Sequence, residues 1–151
     1  MFLDKAFDHY KKLHRSGAAH IAITSTEDCY WMIDGYSAHK VPKNLMELNP
    51  EIFKSFPGDI MDMVAKADAG DELKSTGLVK KENMREILPF VSAGANPFTI
   101  WFNKKLLDTF PKEITLVGTE PLKPASVKYL GDTIGLILPI RHPKDDISLF
   151  L

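Results

Sequence analysis

Apolar residues at the start of the chain repeat with helical spacing. They follow the i, i+3, i+4, i+7 pattern of an amphipathic helix: Leu3, Ala6, Phe7, Tyr10 and Leu13. Ser16 and Gly17 come next, and glycine is typical of the position just beyond a helix end. The pattern therefore predicts a helix over residues 3–15 that packs its apolar face on the rest of the protein.

Alternating apolar and polar residues then predict a three-stranded β-meander. The strands are expected at residues 20–25, 29–34 and 36–41. Asp34 and Gly35 stand between the last two strands, and an Asp-Gly pair is a strong signal for a two-residue hairpin turn. The first part of the chain thus predicts a helix followed by antiparallel strands.

Strand signals return near residue 97. Apolar residues alternate along 98–102, which predicts a strand, and Asn103 is well placed to cap a short helix over 104–110. Three more strands are expected at 113–118, 125–130 and 133–140, the last two joined by a tight turn at Gly131-Asp132. We expect one core to hold the apolar residues of this part: Phe102, Leu106, Leu107, Leu116, Leu136 and Leu138.

The middle of the chain, residues 43–90, has a different character. Its periodicity predicts helices at 44–56, 59–69 and 80–88, separated by breaks rich in proline, glycine and aspartate. Together these elements predict an α+β fold, in which two helices pack on a curved antiparallel sheet and extra helices occupy the middle.

Composition places the chain among ordinary globular proteins. Its 151 residues are 44 % hydrophobic and 26 % charged, which excludes a wholly disordered or fibrous chain. The formal net charge is -1, so contacts with nucleic acid would have to come from a local basic patch. A single cysteine, Cys29, rules out an internal disulfide and agrees with a cytoplasmic protein. No apolar run approaches the length of a membrane span, so we expect no contact with a membrane.

The sequence does not contain the residue patterns that are typical of catalytic sites or metal sites. The 5 histidines include no i, i+4 pair that would place two ligands on one side of a metal. No glycine-rich phosphate loop and no Gly-x-Ser-x-Gly motif is present. We therefore predict that the protein is not an enzyme and has no catalytic residue, metal or cofactor; an enzyme whose site the patterns do not reveal stays open.

Residues 94–141, about a third of the chain, contain an ordered series of short motifs: Phe102-Asn103, Leu106-Leu107, Gly118, Pro121, Pro124 and Leu138-Pro139-Ile140-Arg141. This series resembles the closing half of the last domain of a bacterial DNA polymerase III sliding clamp. The helix and meander at the start of the chain are compatible with the opening half of such a domain. Residues 43–90 depart from the family, because the family supplies further strands where this sequence predicts helices.

The resemblance implies a clamp-like domain over 1–141, with 43–90 as a helical insertion or divergent part, and a tail at 142–151. A bacterial subunit of this family carries three such domains, so a ring of this chain would need about six copies. The implied function is a non-enzymatic DNA-replication accessory protein of the cytoplasm, carried by a phage or mobile element, that tracks duplex DNA or docks replication partners.

Rings of this family line their hole with helices whose outward faces are basic, and such phosphate contacts position DNA without reading its sequence. The corresponding residues here are Lys5, Lys12 and Arg15 of the first helix, and Lys104, Lys105 and Lys112 of the helix at 104–110 and its end. We predict weak, sequence-independent contacts with duplex DNA from this set. The alternative is a charged, solvated helix face without a ligand.

The tail carries a second local signal. Asp146, Ile147, Ser148, Leu149 and Phe150 resemble the Gln-Leu-Ser/Asp-Leu-Phe peptide by which partners bind a bacterial clamp. The alternative function is therefore a phage or mobile-element modulator that binds the host sliding clamp, or another copy of itself, through this peptide. An apolar tail that packs on its own domain is the remaining interpretation.

Overall fold

Three helices and an 11-stranded sheet form the part of the chain that the computed structural model describes, residues 1–141. The helices are α1 (Asp4–Arg15), α2 (Ile60–Asp68) and α3 (Lys104–Leu107). The strands are β1 (Ala22–Ser25), β2 (Cys29–Ile33), β3 (Ser37–Pro42), β4 (Lys54–Ser55), β5 (Asp71–Ser75), β6 (Lys80–Glu82), β7 (Arg85–Ser92), β8 (Thr99–Asn103), β9 (Thr115–Gly118), β10 (Ala125–Tyr129) and β11 (Asp132–Ile137). The predicted mixture of helix and sheet, with the sheet dominant, is confirmed.

Neighbouring strands run in the order β4-β1-β2-β3-β11-β10-β9-β5-β7-β6, and β8 pairs with β7. The pairs are antiparallel except for that of β1 with β4. In the centre, β3 meets β11 through Ser37 with Ile137, Ala38 with Leu136 and His39 with Gly135. We call this pairing the β3–β11 seam, because it joins the first part of the chain to the last.

The same order of elements repeats on the two sides of the seam. Helix α1 leads into the antiparallel strands β1, β2 and β3, and helix α3 leads into β9, β10 and β11. The third strand of the first group, β3, pairs with the third strand of the second group, β11, and the two strands are antiparallel. The topology therefore has an approximate twofold relation, although the sequence contains no visible repeat.

Each group of elements has its own apolar core. The core beneath α1 includes Phe7, Tyr10, Met32, Val41 and Phe53. The core beneath α3 includes Phe102, Phe110, Leu116, Val127 and Ile137. Helix α2 covers a third core, which includes Trp31, Ile33, Ala38, Val64 and Leu136. Because Met32 alternates with Trp31 and Ile33 along β2, α1 and α2 pack on opposite faces of the sheet.

The expected single core for the last part of the chain is wrong for two of its six residues. Phe102 and Leu116 are buried together, and Leu106 and Leu107 pack against them half-buried, as predicted. Leu136 instead lies on the α2 face, since it alternates along β11 with Ile137, which faces α3. Leu138 follows the end of β11 and lines a surface groove on the α2 side.

The helix at the start, the meander after it and the strands after residue 97 are confirmed, with ends shifted by a few residues. Asn103 caps α3 as predicted, because its Oδ1 accepts the N–H of Lys105 at 2.9 Å. The helix itself is shorter than the predicted 104–110 and ends at Leu107. The β10–β11 turn forms at Leu130 and Gly131, one residue earlier than predicted, because β11 already begins at Asp132; their φ angles of 51° and 88° suit a tight hairpin.

Two of the three helices predicted for residues 43–90 are wrong. The helix at 59–69 is confirmed as α2, whose N-cap Asp59 accepts the N–H of Asp62. Residues 44–56 form 3-10 turns and the short strand β4 because Pro50 interrupts the periodic pattern. Residues 80–88 form part of the β6–β7 hairpin, and β5 was not predicted at all. The segment expected to be a helical insertion therefore supplies strands to the sheet.

Candidate functional site

A buried polar chain holds α1 and the end of α3 against the same face of the sheet. The Tyr10 hydroxyl donates to the Met32 carbonyl at 2.8 Å, and the Tyr10 oxygen lies 2.9 Å from His39 Nδ1. The other ring nitrogen, His39 Nε2, lies 2.8 Å from Thr109 Oγ1. His39 is on β3, so one side chain of the central sheet contacts both α1 and the segment after α3.

The charge of His39 limits where the hydrogens of this chain can lie. Burial lowers the pKa of His39 to about 3, with the Asp34 charge opposing and His9 adding to the shift, so the ring is neutral and carries one hydrogen. The Tyr10 hydroxyl donates to the Met32 carbonyl and the Thr109 hydroxyl donates to the Leu106 carbonyl at 2.6 Å, so both hydroxyl oxygens face the ring as acceptors. A neutral ring donates to only one of these oxygens, so the other hydroxyl shares its hydrogen between the ring and its carbonyl. Burial and the nearby Asp34 charge raise the pKa of Tyr10 well above its usual value, so the phenol keeps its hydrogen.

A second polar cluster attaches α1 to the β2–β3 turn. His9 Nε2 lies 2.6 Å from Asp34 Oδ2, and Asp34 is only 2 % exposed. Asp34 also accepts the N–H groups of Tyr36 and Ser37, at 2.8 and 2.6 Å, and the Ser37 hydroxyl at 2.9 Å. Burial acts to raise the pKa of Asp34, but the hydrogen bonds from His9, Tyr36 and Ser37 outweigh it and lower the pKa. The carboxylate is therefore ionised and fixes both the turn and the helix.

Sequence patterns did not reveal these clusters. The spacing of the histidines indicates only that a metal site is lacking, and the Asp34-Gly35 pair indicates only a hairpin turn. The available signal was weaker: His9 and His39 stand at positions that the helical and strand periods place toward the sheet. Both clusters have a positioning role, because together they hold α1 and the end of α3 on one face.

The six predicted basic residues differ in their exposure and in their ion pairing. Five of the six are exposed: Lys5, Lys12, Arg15, Lys105 and Lys112. Lys104 forms an ion pair with Asp108 at 2.7 Å, and the hydrogen bond that its ammonium donates to this carboxylate raises the pKa of Lys104. The charge of Lys104 is therefore locally offset, so it is the weakest member of the set.

The structure brings Lys5 and Lys112 together. Both line a cavity of about 340 Å³ between the start of α1 and the segment that follows α3, beside Asp108. Lys12 lies two turns further along α1 on the same side as Lys5, and Arg15 lies about 15 Å from Lys5 along the axis. The basic residues therefore form a band along α1 that continues to Lys112, which we call the helix face.

An apolar groove lies on the other side of the sheet, under α2. It has a volume of about 130 Å³ and is lined mainly by apolar residues, including Ile33, Phe56, Ile60, Met63, Leu136 and Leu138. Tyr36 stands at its edge and is 63 % exposed. The groove is partly open to solvent.

The predicted clamp-binding peptide, Asp146, Ile147, Ser148, Leu149 and Phe150, lies outside the described residues. Within residues 1–141, no group of three or more histidine, cysteine, aspartate or glutamate side chains is arranged to hold a metal ion. In the same part of the chain, no helix combines the length and the apolar character needed to cross a membrane.

Comparison with known proteins adds no relative to this picture. No protein-family model matches the chain, and neither the curated proteins nor the solved structures contain a match to it.

Proposed function

We propose that the protein is a non-enzymatic DNA-replication accessory protein of the cytoplasm that resembles a sliding clamp and holds duplex DNA on its helix face. The observation that carries this proposal is the placement of α1 and α3 on one face of a continuous sheet, with exposed lysines on both sides of the seam. A face of this kind offers phosphate contacts along its length and no base-reading groups.

Two further observations support the clamp-like interpretation. The helix and three-strand order that precedes the seam is repeated after it, which gives two half-domains of one plan. Residues 71–92 supply strands, including over 80–88 where a helix is expected, so this part of the chain departs less from the resemblance than its sequence pattern predicts. The protein would then act by surrounding DNA, with about six copies in a closed ring.

A charge-reversal experiment tests the helix face. We expect Lys5→Glu with Lys112→Glu to weaken the binding of a fluorescent duplex and to make the dependence of log affinity on log salt less steep by about one to two units, since two phosphate contacts are lost. Fluorescence anisotropy at several salt concentrations measures both quantities.

A matched control uses two lysines that line a cavity on the α2 side. Lys66→Glu with Lys123→Glu makes the same change in net charge on the opposite face, where Lys66 is already paired with Asp62 at 2.9 Å. If both double variants reduce affinity equally, the helix face is not the binding surface. Unchanged binding by the Lys5 and Lys112 variant would overturn the proposal as well.

A second candidate function is peptide docking, and the apolar groove under α2 favours it. In this case residues 146–150 of one copy fill the groove of another copy, with Leu149 and Phe150 as the apolar anchors. Apolar side chains at a chain end contribute about 1.5 to 3 kcal/mol each when fully buried. The modulator hypothesis is the related case in which the pocket belongs to a host clamp.

Truncation tests the docking function. We expect a chain that ends at Lys144 to lose self-association, or co-purification with a bacterial clamp, that the intact chain shows. Phe150→Ala should reproduce most of the loss, because one buried anchor is removed. Sedimentation velocity and affinity co-purification measure the two associations. Identical behaviour of all three chains in both assays would exclude this function for the tail.

A further inference from the structure

Two of the three arginines in the chain line one cavity. Arg85 at the start of β7 and Arg141 at the end of the described chain border a space of about 340 Å³. Asn103 and Leu106 bound it on the side of α3, and Tyr36 and Leu138 bound it on the side of the apolar groove. The cavity, which we call the arginine pocket, therefore lies at the rim between the two faces of the molecule.

Neither guanidinium is neutralised within residues 1–141. No ion pair in this part of the chain involves Arg85 or Arg141. The Nε of Arg85 is shut off from solvent and has no hydrogen-bond partner among the described residues. Glu82 stands opposite Arg85 in the β6–β7 ladder, but its carboxylate contacts Lys80 at 3.8 Å. Two guanidinium groups that border one cavity without an ion-pair partner favour a ligand that supplies oxygen atoms.

The remaining polar groups of the pocket are also suited to donate. The Oδ1 atom of Asn103 is occupied by the N–H of Lys105, which leaves the amide NH2 as the free end of that side chain. Tyr36 also borders the pocket, and no aspartate or glutamate of residues 1–141 lines it. Guanidinium groups match the geometry of a multi-oxygen anion and bind it through paired hydrogen bonds.

The backbone holds both arginines in place. Arg85 follows a tight turn in which Asn83 and Met84 have φ angles of 50° and 63°. The segment that leads to Arg141 is fixed by two bonds: the Leu138 N–H donates to the Tyr36 carbonyl at 2.8 Å, and the Ile140 N–H donates to the Trp101 carbonyl at 2.7 Å. The pocket is thus built from ordered backbone on both sides.

We infer that the arginine pocket binds a phosphate group, with Arg85 and Arg141 as its two cationic ligands. This site is separate from the lysines of the helix face, and it does not require that the protein track DNA. Two sources supply a phosphate group of this chemistry: free inorganic phosphate and the terminal phosphate of a DNA strand.

Nuclear magnetic resonance offers a direct test, because only three arginine side chains contribute Nε–H signals. Titration with inorganic phosphate, against sodium chloride at matched ionic strength, should shift the Arg85 and Arg141 signals and leave Arg15 on α1 unchanged. Arg141→Gln and Arg85→Gln should each weaken phosphate binding by about tenfold or more. Lys123→Gln is the matched control, because it removes an exposed cation on the α2 side and should bind phosphate like the unaltered chain.

Two outcomes would overturn the inference. One is the absence of any phosphate-dependent shift at Arg85, and the other is equal shifts at all three arginines, which indicate unspecific screening. Arg141 is exposed, so the Arg141→Gln variant keeps the test valid if Arg85→Gln fails to fold.

The source of the phosphate is distinguished with two duplexes that differ only in a 5′-phosphate or a 5′-hydroxyl. Tighter binding of the phosphorylated duplex that disappears in Arg141→Gln assigns the pocket to strand ends. Equal binding of both duplexes, with inorganic phosphate still bound at Arg85, assigns it to the free ion. Because the phosphate titration contains no DNA, failure of the helix-face proposal leaves this result unaffected.

Discussion

His39 of β3 connects α1, the central sheet and the segment after α3. It bridges Tyr10 of α1 and Thr109 after α3 through its two ring nitrogens, and its ring stacks on Phe110 with 4.3 Å between the ring centres. A neutral imidazole offers one donor and one acceptor, so it donates to one of these hydroxyl oxygens and accepts from the other hydroxyl. Protonation would make both ring nitrogens donors, but it would place a charge in a fully buried site, which is unfavourable.

We predict that His39 makes the fold sensitive to acid. Its pKa is about 3 in the folded protein because of burial, whereas a free imidazole titrates near 6.5. Between these pH values the unfolded chain binds one more proton, so the free energy of unfolding falls as the pH is lowered through this window. From pH 7.5 to pH 4.5 the loss should be on the order of 2 kcal/mol. Urea denaturation at the two pH values measures it.

The matched variants are His39→Gln and His14→Gln. Glutamine keeps a donor and an acceptor but does not titrate, so His39→Gln should flatten the pH dependence between 7.5 and 4.5 while lowering stability at both. His14 is exposed on α1, and its replacement should leave the dependence as it is. Equal slopes for the unaltered chain and His39→Gln would contradict the assignment.

At the scale of single elements, Gly135 of β11 determines how closely the segment after α3 can approach the β3–β11 seam. A Cβ at this position of β11 would touch the Phe110 ring and would lie 2.6 Å from the Ala38 carbonyl oxygen of β3. The absent side chain thus leaves the space in which Phe110 stacks on His39.

We predict that Gly135→Ala destabilises the protein by about 1 to 3 kcal/mol or more, as overpacking does in cores where backbone cannot yield. Gly131→Ala is the comparison: Gly131 has a φ of 88° but nothing within 4 Å of an added Cβ, so it should lose only about 1 kcal/mol from backbone strain. Urea denaturation of both variants separates crowding from strain, and equal losses would show that crowding at Gly135 is unimportant.

The elements that could be predicted are those whose period and boundary residues agree. Helix α1 has an apolar stripe and a glycine just beyond its end, and the capping residue Asn103 predicts the start of α3. The sequence predicts a helix in place of the hairpin at 80–92, because Met84, Ile87 and Leu88 have the i, i+3, i+4 spacing of a helix. In the structure Met84 is fully exposed in a turn with positive φ, while Ile87 is completely buried in β7. A methionine in a left-handed turn gives no sequence signal of the kind that glycine gives.

The candidate site was predictable to the same limited extent. Exposed lysines on amphipathic helices follow from the helical period, and five of the six predicted residues are exposed. The partners of the polar clusters are 25 residues apart for His9 and Asp34 and 70 for His39 and Thr109, and no local pattern joins residues so distant. The arginine pocket is likewise assembled from β7 and the segment after β11, which only the folded sheet brings together.

At the scale of the whole molecule, the clamp-like proposal makes a prediction about mass. A closed ring on the plan of the family would contain about six copies of the 17.0 kDa chain, because each copy supplies one domain. Sedimentation equilibrium or light scattering at low salt should detect this species. A monomer or dimer at all concentrations would exclude the ring and leave the docking function to be tested.

The position of β11 has a consequence for how the protein is made. Among the strands of residues 1–141 it is the last in the chain, yet it lies in the middle of the sheet between β3 and β10. Until residues 132–137 leave the ribosome, both of these strands keep an unpaired edge, and such edges are templates for aggregation. We therefore expect nascent chains that stop short of Asp132 to depend on chaperones, and chains extended past Ile137 to become soluble in a single step.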